Sequence, residues 1–112
     1  MLKIRNIIFN ILFALACLAS VCFFWRKAIL LLFILIIISL IGLYKWKNKE
    51  TMILFIFCGI FGAIAEIIAI YFSIWTYTLP NIFGIPYWLF FLWGDAAVFS
   101  YQMAIEIKKF KS

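Results

Sequence analysis

The chain has 112 residues, of which 70% are hydrophobic and 12% charged, whereas a soluble domain is about half apolar and about a quarter charged. This composition excludes a soluble globular domain and predicts that the chain is surrounded by the lipid bilayer, which is its expected partner. The net charge of +6 lies in short clusters between apolar segments, which is typical of topology signals and contacts with anionic headgroups. We therefore expect no nucleic-acid partner.

Four apolar segments follow one another along the chain. A helix needs about 20 residues to cross a bilayer, with a range of roughly 17 to 25. The segments predict helices over residues 6–25, 28–44, 51–75 and 85–107, because a backbone in lipid must satisfy its own hydrogen bonds and no barrel alternation is present. The predicted fold is an all-α membrane protein, a single domain over residues 1–112 with four transmembrane helices in two antiparallel hairpins.

The basic residues are distributed unevenly between the two sides of this predicted bundle. Eight of the ten lie near the N-terminus, in the 45–50 loop or near the C-terminus, and only Arg26 and Lys27 lie on the other side. By the positive-inside rule, both termini are expected in the cytoplasm, with a bacterial or archaeal plasma membrane as the location. A signal peptide cleaved after Ala16 is the alternative for the start, so removal of residues 1–16 stays open.

The third segment carries small residues and one acid at spacings of three and four, which places them on one helical face. The small residues predict close packing with another helix, and Glu66 on the same face is expected to point at protein or at a cavity. The members of this face are Gly59, Gly62, Ala63, Glu66, Ala69 and Ser73.

The fourth segment carries Asp95 near its middle and Gln102 two turns later. A turn near residues 80–81 would place Asp95 at the same depth as Glu66. An acid inside a membrane is costly and is a functional-site hypothesis by default, and two at close range would share a proton or a cation. We predict a proton, cation or ligand site at Glu66, Asp95 and Gln102. The alternative is that each group is hydrogen-bonded and serves packing alone.

Aromatic residues surround the connection between the third and fourth segments. They predict either an interfacial aromatic belt or a mouth for a lipid or polyene above the carboxylates. The residues of this predicted mouth are Trp75, Tyr77, Tyr87 and Trp88.

The same hairpin shows an ordered series of acidic, aromatic, glycine and proline residues: Glu66, Trp75, Tyr77, Phe83, Gly84, Pro86, Trp88 and Trp93. Residues 66–93 resemble small membrane proteins of carotenoid biosynthesis, namely the lycopene cyclase domain and carotenoid hydratase-like groups. They also resemble small bacterial multi-pass membrane proteins with an Ile-Pro-x-Trp-Leu helix start, whose function is not known. In the cyclases acidic residues follow the proline, whereas Tyr87 follows Pro86 here.

Three functions fit these observations. The first is transport coupled to a proton or cation by a homo-oligomer, and the second is a structural subunit that assembles with a membrane partner protein. The third, implied by the resemblance, is an isoprenoid- or carotenoid-modifying enzyme with Glu66 and Asp95 as acid and base. We favour a protein that is not an enzyme over one that is. Because the chain has no histidine, no CxxC pair and no phosphate-binding glycine pattern, we expect no metal and no cofactor.

Overall fold

The structure is a computed structural model that describes residues 2–77 and 84–111. These residues form four helices and no strands: α1 (Leu2–Phe24), α2 (Ala28–Trp46), α3 (Lys49–Tyr71) and α4 (Leu89–Lys111). The all-α prediction is confirmed. In the described ranges, three helices are long and apolar enough to cross a membrane, namely Ile4–Phe24, Ala28–Trp46 and Lys49–Tyr71, which supports an integral membrane protein.

The connection between α2 and α3 is a tight turn with defined caps. Lys47 takes the left-handed conformation at φ 46° and donates its backbone N–H to the Leu43 carbonyl. The Asn48 side chain then accepts a hydrogen bond from the Thr51 backbone N–H at 3.1 Å, which satisfies a free donor at the start of α3. Because the turn consists only of Lys47 and Asn48, α2 extends two residues further than the sequence predicts and α3 begins two residues earlier.

The end of α3 differs from the sequence prediction for a physical reason. Ser73 has φ 62°, its N–H binds the Ile70 carbonyl, and the Ile74 N–H binds the Ala69 carbonyl, both at 2.9 Å. This pair of hydrogen bonds around a left-handed residue is a Schellman motif, which terminates a helix. Helix α3 therefore ends at Tyr71 rather than near residue 75, and α4 begins at Leu89 rather than near residue 85.

Side-chain pairs establish the direction of each helix. Trp46 pairs with Asn10 and Gly42 lies against Phe13, so α1 and α2 are antiparallel. The pairs Asn6–Glu106 and Cys17–Asp95 make α1 and α4 antiparallel, and Thr51–Gln102 with Glu66–Trp93 does the same for α3 and α4.

Helix α4 packs against all three other helices, whereas α1 and α3 do not pack against each other within the described ranges. The closest approach is between α3 and α4. A Cβ atom on Gly59 would lie 2.8 Å from the Phe90 carbonyl oxygen, and one on Gly94 would lie 2.8 Å from the Phe55 carbonyl oxygen. Glycine at both positions permits this backbone contact.

Candidate functional site

The Glu66 carboxylate accepts three hydrogen bonds from aromatic side chains. Tyr77 Oη and Trp75 Nε1 donate to Oε1 at 2.5 and 3.2 Å, and Trp93 Nε1 donates to Oε2 at 2.5 Å. Glu66 is buried, with 7% of its surface exposed. Both carboxylate oxygens are thus held by donors from the protein itself, which is the usual requirement for a buried acid.

Trp75 and Tyr77 reach Glu66 because the chain folds back after α3. The Schellman motif at Ser73 reverses its direction, so residues 75 and 77 lie beside the helix that they follow. On the other side of the connection, Gly84 at φ 87° lies against Ile70 in the last turn of α3. Burial, and then the hydrogen bond to Glu66, raise the pKa of the Tyr77 phenol above its ordinary range.

The Asp95 carboxylate has a separate set of partners on α1 and α2. Ser39 Oγ donates to Oδ1 at 2.6 Å, and Cys17 Sγ lies 3.4 Å from Oδ2. Asp95 is 2% exposed. These contacts make Asp95 the point where three helices, α1, α2 and α4, meet.

A groove of about 210 Å³ lies between α1 and α4 at Asp95. Buried Phe13, Cys17 and Asp95 form its floor, while the exposed Leu18 and Ala96 form its rim. Apart from Asp95, the side chains that line it are apolar or weakly polar: Phe13, Ala14, Cys17, Leu18, Leu92, Ala96 and Phe99. The groove thus has room for an apolar group next to a buried acid.

The structure places Glu66 and Asp95 in different clusters. Because Gly59 lies against Phe90 and Gly94, Asp95 is level with the middle of α3, and Glu66 is about two turns, roughly 10 Å, further toward the connection. The expected equal depth is therefore wrong. Helix α3 runs past the start of α4 and the chain then folds back, whereas equal depth requires a simple hairpin. The expected turn near residues 80–81 lies outside the described residues.

Gln102 is buried and is directed at α3. Its Nε2 donates to Thr51 Oγ1 at 2.7 Å, so this hydrogen bond joins α3 and α4 rather than leading to Asp95. Glu106 accepts from Asn6 at 3.3 Å and from Lys109 at 3.1 Å. Gln102 and Glu106 therefore make contacts of their own, separate from those of Asp95.

The four residues of the predicted aromatic mouth occupy different environments. Trp75 and Tyr77 bind Glu66, and Tyr87 is 41% exposed. Trp88 is buried, and its indole nitrogen has no hydrogen-bond partner in the part of the chain that the structure describes. Phe83 lies outside the described residues.

The small residues of α3 are buried, and its glycines contact α4 rather than an open surface. Gly59 and Ala63 are buried, and a Cβ atom on Gly62 would lie 2.4 Å from the Trp93 ring. Ala69 is buried near the end of the helix. This packing holds the Trp93 indole against Glu66.

Sequence reasoning did not single out three residues that build these clusters. These are Trp93 and Cys17, which contact the two acids, and Asn10, which is 1% exposed and bonded to Trp46. A rare polar side chain in an apolar helix is a usable signal for Asn10. No such signal pairs Cys17 with Asp95, because their contact depends on how α1 meets α4.

Among residues 2–77 and 84–111, no group of three His, Cys, Asp or Glu side chains could hold a metal ion. No family model, curated protein or solved structure matches this chain. The two carboxylate clusters and their surroundings are therefore the basis for a functional proposal.

Proposed function

We propose that this is a membrane transport protein in which Asp95 binds a proton and exchanges it for a lipophilic organic cation. The observation that carries the proposal is the position of Asp95 at the floor of the apolar groove between α1 and α4. A buried acid with one side toward such a groove is a natural counter-charge for a cation that enters from lipid.

The lining of the groove favours an organic cation over an inorganic one. A metal ion would have to lose its hydration shell, and the groove provides few oxygen atoms to replace it. A cation with an apolar body can instead bury that body against Phe13 and Phe99 while its charge faces Asp95. Because one acid neutralises one positive charge, the proton and the cation compete for the same carboxylate.

Glu66 has a different role in this proposal. Its two oxygens already accept from Trp75, Tyr77 and Trp93, so it serves as a fixed acceptor that holds α4 and the connection against α3. An isoprenoid-modifying enzyme would need Glu66 and Asp95 around one substrate, and their separate clusters give that alternative less support.

The alternative of an assembly subunit also draws less support from the packing. Its predicted partner surface included the small residues of α3, and Gly59 and Gly62 are already packed against α4. The remaining partner surface would be the lipid-facing side of α2.

The proposal includes a topology in which α4 also crosses the membrane, completing two antiparallel hairpins. Its polar residues Asp95 and Gln102 bond to the other helices, which reduces the cost of placing them in lipid. Both termini are then on one side, and the excess of basic residues there favours the cytoplasm. A homo-oligomer completes the proposal, because a single bundle of this size leaves little room for a path across the membrane.

The test is proton release on cation binding to the purified protein in detergent. Tetrapropylammonium is added while a pH indicator follows released protons and calorimetry follows binding. We expect wild type and Glu50→Gln, an exposed control, to release protons as they bind the cation, and Asp95→Asn to do neither. Unchanged binding and release by Asp95→Asn would contradict the proposal, and loss in Glu66→Gln alone would move the site to the other cluster.

A further inference from the structure

A second apolar groove, broad and open, lies where α2 ends and α3 begins. Its volume is about 580 Å³, and it is separate from the Asp95 groove between α1 and α4. The side chains that line it are apolar, apart from the hydroxyl group of one tyrosine: Leu40, Ile41, Leu43, Tyr44 and Met52. The groove thus offers an apolar surface to a partner that approaches from the lipid.

The groove is accessible because α2 and α3 are joined tightly but packed loosely. Only Lys47 and Asn48 connect the two helices, which make little contact with each other, whereas α3 packs extensively against α4. Leu40, Tyr44 and Met52 are exposed, so the described part of the chain does not cover them. A partner could therefore occupy the groove without any rearrangement of the fold.

A lysine ammonium group lies at the edge of this groove. Lys47 Nζ is 4.6 Å from the centre of the Tyr44 ring, so a cation–π contact holds the charge next to a side chain that lines the groove. Lys47 is exposed and forms no ion pair within residues 2–77 and 84–111. Its N–H donors can therefore bind a phosphate group.

The depth of the groove also suits a phospholipid. In the proposed topology the turn at Lys47 lies at the cytoplasmic surface, where the headgroups of anionic lipids are found. The groove extends from Tyr44 to Leu40, about one helical turn toward the membrane interior. A phosphate at Lys47 and an acyl chain in the groove would thus lie at the depths that these parts of a phospholipid occupy.

We propose that the groove is a binding site for an anionic phospholipid, with the phosphate at Lys47 and an acyl chain against Leu40, Tyr44 and Met52. A zwitterionic headgroup carries its own cation beside the phosphate and gains less from the lysine. A soluble anion would make no use of the apolar surface. A second copy of the chain fits less well, because a two-fold contact at this groove would bring the Lys47 ammonium groups of both copies together.

The test compares phospholipids that share their acyl chains and differ in headgroup charge. The protein is delipidated in detergent and offered phosphatidylglycerol and phosphatidylcholine, and native mass spectrometry measures the lipid that it retains. We expect wild type to bind phosphatidylglycerol more tightly. Equal retention of the two lipids by wild type would overturn the proposal.

Lys47→Gln tests the contact with the phosphate. We expect it to weaken phosphatidylglycerol about fivefold, the contribution of one lysine near a membrane surface, and to leave phosphatidylcholine unchanged. Lys45→Gln is the matched control, because it removes the same charge from the same segment. Lys45 is also exposed, but its Nζ lies 5.7 Å from the Phe9 ring of α1 and it does not line the groove.

The control separates a defined site from a general attraction to the basic turn. We expect Lys45→Gln to keep the preference for phosphatidylglycerol that Lys47→Gln loses. Equal losses in the two variants would mean that the turn attracts anionic lipid through its overall charge alone, and would overturn a site at this groove.

A bulkier side chain tests the apolar part of the site. Leu40→Trp should fill the groove and weaken both lipids, whereas Ile37→Trp, at an exposed position of α2 outside the groove, should leave both unchanged. Thermal unfolding of each variant checks that the fold is retained. If Leu40→Trp retains both lipids as wild type does, no acyl chain occupies the groove and the proposal fails.

The same spectra report the mass of the protein assembly. A dimer that persists without lipid and dissociates in Leu40→Trp would assign the groove to a second copy of the chain, and the proposal of a lipid site would then be wrong.

Discussion

Trp93 and Asp95 are two positions apart on α4 and make their hydrogen bonds on opposite sides of that helix. The Trp93 indole donates to Glu66 on α3, while the Asp95 carboxylate accepts from Ser39 on α2 and Cys17 on α1. Two residues correspond to about 200° around a helix with 3.6 residues per turn. This spacing alone separates the two acids into different clusters.

The Glu66 cluster is expected to be important for stability. Glu66→Ala removes the carboxylate that accepts hydrogen bonds from Trp75, Tyr77 and Trp93. Because these three donors then lose their acceptor, the free energy of unfolding should decrease by about 3 kcal/mol or more. Glu66→Gln retains one oxygen and should cost less. Denaturant unfolding in mixed micelles measures both values, with exposed Glu50→Gln as the control. A loss for Glu66→Ala no greater than that of the control would contradict a structural role.

The hydrogen bond between Tyr77 and Glu66 predicts a pH dependence. Because folding raises the pKa of the Tyr77 phenol above its ordinary value of 10.0, the folded protein retains a proton that the unfolded chain releases. The contribution of Tyr77 to stability is therefore complete below pH 10.0 and is lost as the pH rises above that value. Thermal unfolding from neutral to alkaline pH measures this loss.

The matched variant for this pH experiment is Tyr77→Phe. It lacks the phenol and should show a shallower decrease in stability at alkaline pH, together with a loss of about 1 kcal/mol at neutral pH. Parallel pH profiles for the two proteins would show that Tyr77 does not retain its proton through folding.

Gly62 is expected to tolerate no side chain. A Cβ atom there would lie 2.4 Å from the Trp93 ring, so Gly62→Ala must displace the indole and with it the donor to Glu66. Overpacking of this kind costs about 1–3 kcal/mol. The unfolding free energy and the total tryptophan fluorescence should both change, whereas Ile64→Ala, on the exposed face of the same helix, should leave the fluorescence as it is.

The proposed topology can be tested with single cysteines in a background without Cys17, Cys22 and Cys58. Cysteines at Lys47 and Ser112 should be labelled from one side of the membrane and a cysteine at Arg26 from the other. Labelling uses a membrane-impermeant maleimide on intact cells and on inverted vesicles. If position 112 is labelled together with position 26, α4 does not cross the membrane.

The sequence was sufficient to predict an all-helical chain, because long apolar segments in lipid leave few alternatives to a helix. It did not predict where α3 ends. The Schellman motif places Ser73 at φ 62°, and serine at such a position carries no signal comparable to glycine. The prediction therefore continued the helix through Trp75, which in the structure donates to Glu66 from the returning chain.

The candidate acids could be found from their rarity in apolar segments, but their partners could not. The register between α3 and α4 depends on backbone contacts at Gly59 and Gly94. A small error in the position of the predicted turn therefore changes the depth of Asp95 relative to Glu66 by about two helical turns. Ser39 is one of several hydroxyl groups that could have reached an acid. Only the packing of α2 against α4 selects it.

The central position of α4 also has a consequence for how the chain is made. Helix α4 follows the other three in sequence, yet it supplies partners for Ser39, Thr51 and Glu66. If α4 crosses the membrane as proposed, these groups must remain without their partners during synthesis until α4 is inserted. In the proposed topology the polar side chains of α4 then enter a bilayer where their acceptors and donors are already in place, so the earlier helices act as an assembly template for α4.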